Sequence, residues 1–256
     1  MSLATTTVGA GEPDVAFAHG LFGQGKNWTQ IAKALTPGHT SLLVDMPDHG
    51  RSPWTERVDY PGYADLVAET LAPHAPLDLV GHSMGGKIAM QVALRRPELV
   101  RRLVVVDIAP ADYRGLSAFG DYVAAMRAID LATLPGREAA DEALRDGVPD
   151  PVVRGFLLQN LRRASAPENW RWQMNLGLLG DQLDRLGEWP ATDATFDGPV
   201  LWVAGAESDY VRPEHREAMR ALFPRVRSVR VKGAGHWVHS EQPDAFVRTL
   251  RAFLDA

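Results

Sequence analysis

The chain has 256 residues, 45% of them apolar, which suits one large domain with a substantial core or a domain carrying an insertion. A formal net charge of −5 with no basic run argues against a nucleic-acid surface, and the absence of cysteine excludes disulfides, thiolate zinc sites and a cysteine nucleophile. The first residues, MSLATTTVGAGEPD, lack the basic start and apolar run of a secretory signal, and no segment is apolar for long enough to span a bilayer, so a cytoplasmic protein is expected.

Residues 2–11 are polar, with Gly9 and Gly11 as turn residues, and suit one or two weak edge strands. Val15–Ala18 reads as a short buried strand running into a glycine-rich loop, His19–Gly23, with Asn27 as the predicted cap of a helix to about Leu35. Ser41–Asp45 is the next strand and Met46–Pro53 a loop. Helical spacing over Tyr60–Pro73 precedes an apolar strand at Leu77–Val80, a tight turn, and a helix to about Arg96. Leu103–Asp107 is an apolar strand ending in an acid. Strands alternating with helices imply a parallel sheet covered on both faces, an α/β fold. From about Ala109 to Pro190 no strand is convincing. Helical stretches are predicted at Ser117–Leu131, Arg137–Asp146, Pro151–Arg163 and about Trp170–Leu186. The sheet resumes at Val200–Val203, followed by a loop, a helix over Pro213–Phe223, a strand at Ser228–Val231, the turn Gly233–His236 and a closing helix over Pro243–Leu254. The expected division is a core of residues 1–110 and 191–256 with a helical lid of residues 111–190.

Gly81-His82-Ser83-Met84-Gly85 is a G-x-S-x-G turn set between a strand and a helix, the form of a nucleophile elbow. Such a turn lifts Ser83 above the C-terminal edge of the sheet, at the positive end of the helix that follows. A serine needs a base, and His236, in a glycine-flanked loop after the last strand, reaches the same edge. Two N–H donors for a developing oxyanion are expected from Met84, first on the elbow helix, and Leu21 in the His19–Gly23 loop. His19 and His82 read as braces rather than chemical groups. His236 and His239 make a metal pair conceivable, but no H-E-x-x-H accompanies them, and no metal is expected. Two acids are available. Asp107 ends its strand, and Asp209 follows Ser208 in the loop after Val200–Val203.

His19–Gly23, Asp45–Ser52, Gly81–Lys87, Val106–Pro110 and Gly233–His239 together resemble the α/β-hydrolases, and more narrowly the YbfF-type bacterial esterases, through about 15–110 and 199–254. The resemblance implies a parallel sheet with a helical lid, hydrolysis of acyl esters and thioesters, and no cofactor. By matching position it implies Ser83 as nucleophile, His236 as base and Asp107 as the acid, with Ser208 beside it as a supporting partner. Asp209 stays the alternative acid. The expected partner is a small ester or thioester. A carbon–carbon hydrolase or lyase would need the same residues, and a non-catalytic binding protein on the same fold is a third reading. A rival of another class is the phosphate loop G-x-x-x-x-G-K-[ST], approached by Gly20–Asn27 with Lys26, but Asn27 has no hydroxyl for a magnesium ion.

Overall fold

On an apolar strand buried on both faces, alternate residues feed two different cores. The computed structural model, which describes residues 2–113, 117–165 and 169–256, has this pattern. Strand β1 (Thr5–Val8) is followed by β2 (Val15–Ala18), α1 (Thr29–Leu35), β3 (Ser41–Val44), α2 (Tyr60–Leu71), β4 (Leu77–His82), α3 (Met84–Arg95) and β5 (Val100–Val106). After a long excursion come β8 (Val200–Gly205), α9 (Arg216–Leu222), β9 (Val226–Val231), α10 (Val238–Glu241) and α11 (Pro243–Leu254). Val15, Phe17, Val104 and Val106 pack with Trp28, Ile31 and Phe246 on the α1 and α11 side. Ala16, Ala18, Leu103 and Val105 pack with α2 and α3 on the other. Each fully buried Val, Leu or Phe contributes about 1.5–3 kcal/mol.

The seven strands run in the order β1-β3-β2-β4-β5-β8-β9. Only β1 is antiparallel, pairing at the edge with β3. Every parallel strand therefore presents its C-terminal end at the same edge, where ligands of open α/β sheets bind. Asn27 does not cap α1. A 3₁₀ turn over Gly25–Trp28 precedes it, and the Asn27 side chain reaches back to accept from the Gln24 N–H at 2.7 Å.

Residues 107–199 lie between β5 and β8, which pair directly with each other. The segment contains α4 (Ser117–Arg127), α5 (Arg137–Leu144), α6 (Pro151–Leu158), β6 (Leu161–Arg163), β7 (Trp170–Trp172), α7 (Leu176–Asp181) and α8 (Leu183–Gly187). The expected all-helical segment is corrected here, because β6 and β7 form an antiparallel ribbon. Trp170 and Trp172 are buried while Arg171 between them is exposed, the period of a strand. The Trp170 indole donates to the Leu134 carbonyl at 3.0 Å, and the Arg163 guanidinium lies 4.3 Å from its ring. Three-residue strands are too short for that period to stand out from helical spacing. Residues 114–116 and 166–168 of the expected lid lie outside the described residues. Among the described residues no helix is long and apolar enough to cross a membrane.

Candidate active site

The elbow rests on missing side chains. A Cβ on Gly81 would lie 2.4 Å from the Gly85 carbonyl oxygen, and one on Gly85 would lie 2.4 Å from the His19 carbonyl oxygen. Strand β4 and helix α3 therefore cross at backbone contact. Ser83 takes φ 52° and ψ −121° at the first residue before α3, a region that costs non-glycine residues on the order of 1–3 kcal/mol. The described non-glycine residues with positive φ are Phe22, Asp48, Ser83 and Asp107. All four sit on the loops at the C-terminal edge of the sheet, so backbone strain is concentrated there.

Asp107 leaves β5 at φ 50° and is fully buried. Its Oδ1 accepts from the Gly205 N–H at 3.0 Å. Its Oδ2 accepts from the Ser208 hydroxyl at 2.5 Å and from His236 Nδ1 at 2.8 Å. A proton on Nδ1, held by the carboxylate, leaves Nε2 as an acceptor. The structure thus brings Asp107, Ser208 and His236 into one network. Asp209 is exposed, and its carbonyl accepts from Arg212 Nε at 2.9 Å. Ser83 and His236 line one pocket with Gly20, Leu21, Phe119 and Trp237. Leu21 and Met84 line a second pocket together with Ser83, and among the described residues neither backbone N–H is bonded to another protein group.

The loops around the serine are braced by neutral histidines. His19 donates from Nδ1 to the Gly20 carbonyl at 2.8 Å and accepts at Nε2 from the Met46 N–H at 2.9 Å. His49 donates from Nδ1 to the Pro47 carbonyl and accepts at Nε2 from the Phe22 N–H at 3.0 Å. Each ring bridges the Leu21 loop and the 46–53 loop, and each must be uncharged to accept. Burial lowers His19 to about 3 and pushes His49 down as well. His82 donates from Nε2 to the His236 carbonyl at 2.9 Å, and burial holds it well below its ordinary value. His239 stacks on Trp28 at 4.1 Å, and burial lowers it to about 3. Among the described residues no group of three or more ligating side chains converges on a metal position. The phosphate-loop pattern is likewise occupied from within. The Gly25 N–H donates to Asp45 at 2.7 Å and the Phe22 N–H to His49, so neither is turned toward an anion.

Comparison with known proteins settles the family. The family model of the α/β hydrolase fold matches residues 14–243. The chain belongs to the α/β hydrolase fold family. It is 39% identical over 251 residues to the mouse sn-1-specific diacylglycerol lipase ABHD11, covering 94% of this chain and 81% of that one. It is 33% identical to esterase YbfF of Escherichia coli K12, covering 94% of this chain and 92% of that one. Among solved structures, a marine microorganism esterase superposes with a TM-score of 0.94 at 31% identity, over 99% of both chains.

In this α/β hydrolase two features escape sequence reading. Lys87, one helical turn after Ser83, is buried. Its ammonium donates to the Gly187 carbonyl at 2.8 Å and the Glu188 carbonyl at 2.7 Å, between the rings of Tyr60 and Tyr113. Burial lowers it to about 7, with Asp112 and Glu188 opposing. It ties α3 to the end of α8. Asp48, also buried, accepts from Tyr63, Thr55 and Asn175, joining the core to the start of α7. A charged residue in a helix or loop reads as solvated, and partners over a hundred residues away leave no local signal.

The neutral histidines make the hydrolase sensitive to acid. Their folded values lie below 6.5, so the unfolded chain binds protons first as pH falls. Stability from these rings is full above about 6.5 and is lost as pH falls below it, down to about 3 for His19 and His239, at up to about 1.4 kcal/mol per pH unit for each ring. His39 acts the other way. Burial lowers it, but Asp14 and Asp255 outweigh that and raise it. His215 is also lowered by burial, and with five lowered rings against one raised, the melting temperature is expected to fall steeply between pH 7.5 and pH 5. A melting temperature that stays level over that range contradicts the assignment of these rings as neutral.

Proposed function

We propose that the protein is a serine hydrolase of carboxylic esters or thioesters that works through an acyl-enzyme on Ser83. The observation that carries this is the Asp107–His236 pair, with Nε2 bonded to no protein group among the described residues and with Ser83 lining the same pocket. The relatives named as esterases and as a lipase support the same reaction class. His236 Nε2 takes the Ser83 proton as Oγ attacks the acyl carbonyl. Leu21 and Met84 N–H groups receive the oxyanion. The imidazolium then gives its proton to the leaving group, and the neutral ring activates water to release the acid. Ser208 supports by holding the Asp107 carboxylate from a third side. The test is labelling with a fluorophosphonate, read by peptide mass spectrometry. Modification at Ser83 supports the reading, and an unlabelled protein with no ester turnover rejects it.

The same reading makes residues 111–190 a lid over the site. Phe119 and Tyr122 of α4 and Val153, Phe156 and Leu157 of α6 line the pocket of Ser83 and His236. A second pocket, toward Tyr60, Lys87 and Tyr113, meets the first at Leu21, Ser83 and Phe119. One arm holds the acyl chain and the other the leaving group. Truncating Phe119 or Phe156 to alanine is expected to shift the preferred acyl chain longer by roughly two methylenes, each being about 0.8 kcal/mol of burial. A panel of p-nitrophenyl esters and acyl thioesters of graded length measures this. An unmoved optimum in both variants removes the lid from substrate selection.

A further inference from the structure

The loop after β8, which carries the acid in many α/β-hydrolases, delivers an aromatic ring here. The Tyr210 ring lies flat on the His236 imidazole, with centroids 4.0 Å apart and planes 22° apart. Its placement is built from three contacts. The Tyr210 N–H donates to Ser208 Oγ at 3.2 Å, and that hydroxyl in turn donates to Asp107. Tyr113 Oη donates to the Tyr210 carbonyl, and the Tyr113 ring lies tilted against the Tyr210 ring with centroids 5.4 Å apart. The serine that binds the acid therefore also sets the ring that covers the base.

From this we infer that Tyr210 is a positioning residue: its ring face keeps the imidazole aligned with Asp107 and stabilises the positive charge that His236 takes up during catalysis. The inference rests on the serine-hydrolase reading. An aromatic face is negative and attracts a cation within about 6 Å of its centroid. His236 is only 12% exposed at its side chain, so water does little to solvate the imidazolium. The other groups facing it are few. Asp107 on Nδ1 supplies the negative charge. His82 at 4.7 Å and His239 behind it are neutral because both are buried. Trp237 meets the ring edge-on at 5.8 Å. The Glu241 carboxylate is taken by the N–H groups of Gly235 and Trp237 on either side. Tyr210 is the flat face among them.

The experiment replaces Tyr210 with phenylalanine, then with mono-, di- and trifluorophenylalanine, and with leucine. Fluorine withdraws charge from the ring face with little change in volume, so the series separates the face from its packing. Tyr210→Phe keeps the ring face and is expected to hold kcat within about two-fold, since among the described residues the Tyr210 hydroxyl is bonded to no protein group. Kcat is expected to fall stepwise along the fluorinated series, by about 3- to 30-fold at its end. The pH at which the His236 ring half-protonates, followed by NMR of nitrogen-labelled histidine, is expected to move downward in the same steps. A flat fluorinated series overturns the inference, and so does a phenylalanine variant as impaired as the leucine one. The NMR midpoint needs no substrate, so it reports on the stack even in a protein without ester turnover. Failure of the hydrolase reading appears separately, as an unlabelled wild type.

Discussion

Ser83→Ala is expected to lower kcat on any ester the wild type turns over by about 10⁶, the scale seen when a serine hydrolase loses its nucleophile. The fold is expected to survive. Alanine is smaller, and among the described residues no protein group is bonded to the Ser83 hydroxyl. The elbow itself is held by Gly81, Gly85 and the Ser83 N–H on the Val106 carbonyl at 3.0 Å. Residual catalysis from the Leu21 and Met84 donors is expected to persist above the rate in water. Loss of turnover, an unchanged melting temperature and loss of fluorophosphonate labelling must appear together. Near-normal turnover in this variant rules out the acyl-enzyme on Ser83.

Asp107→Asn carries the second largest effect, about 10⁴ in kcat. The carboxylate receives three donors, from Gly205, Ser208 and His236. An amide turns an N–H₂ toward at least one of them and no longer fixes the proton on His236 Nδ1. The imidazole then adopts the wrong tautomer and its cation loses its counter-charge. Asp209→Asn is expected to change kcat less than about two-fold, as exposed side chains away from a site usually do. Ser208→Ala falls between, because it removes one of three donors from a carboxylate that keeps its place on His236. Measuring the three variants on one ester ranks them. If Asp209→Asn is the impaired one, Asp107 is not the acid.

The choice between the two acids shows where sequence reading stops. The G-x-S-x-G turn, the strand ending in Asp107 and the glycine-flanked His236 are local signals, each set by backbone requirements within a few residues. They place three groups at one edge of a parallel sheet, and the structure joins two of them by a hydrogen bond. Asp209 stands one residue from the position expected for an acid, and one residue along a loop turns a side chain to solvent. Tyr210, the next residue, turns inward onto His236. Nothing in the order Ser-Asp-Tyr distinguishes those two outcomes, because the loop's path is fixed by Ser208 on Asp107 and by Tyr113 from the inserted segment. The same holds for Lys87, whose carbonyl partners lie a hundred residues on. The β6–β7 ribbon was hidden for a different reason, since three residues sample one and a half periods of a strand and nearly one turn of a helix.

The inserted segment departs from β5 and returns at β8, and these two strands are hydrogen-bonded neighbours. Its two ends are therefore held at fixed points on neighbouring parallel strands, one at the C-terminal end of β5 and the other at the N-terminal end of β8, whatever lies between them. Closing a loop whose ends are already fixed costs only about 0.6 kcal/mol more for each doubling of its length. Descendants of this architecture can thus lengthen, shorten or exchange that excursion with little penalty to the sheet, while Ser83 and His236 stay on turns outside it and Asp107 stays at its point of departure from β5. Diversification of the substrate chamber and preservation of the reaction machinery are placed on separate stretches of the gene.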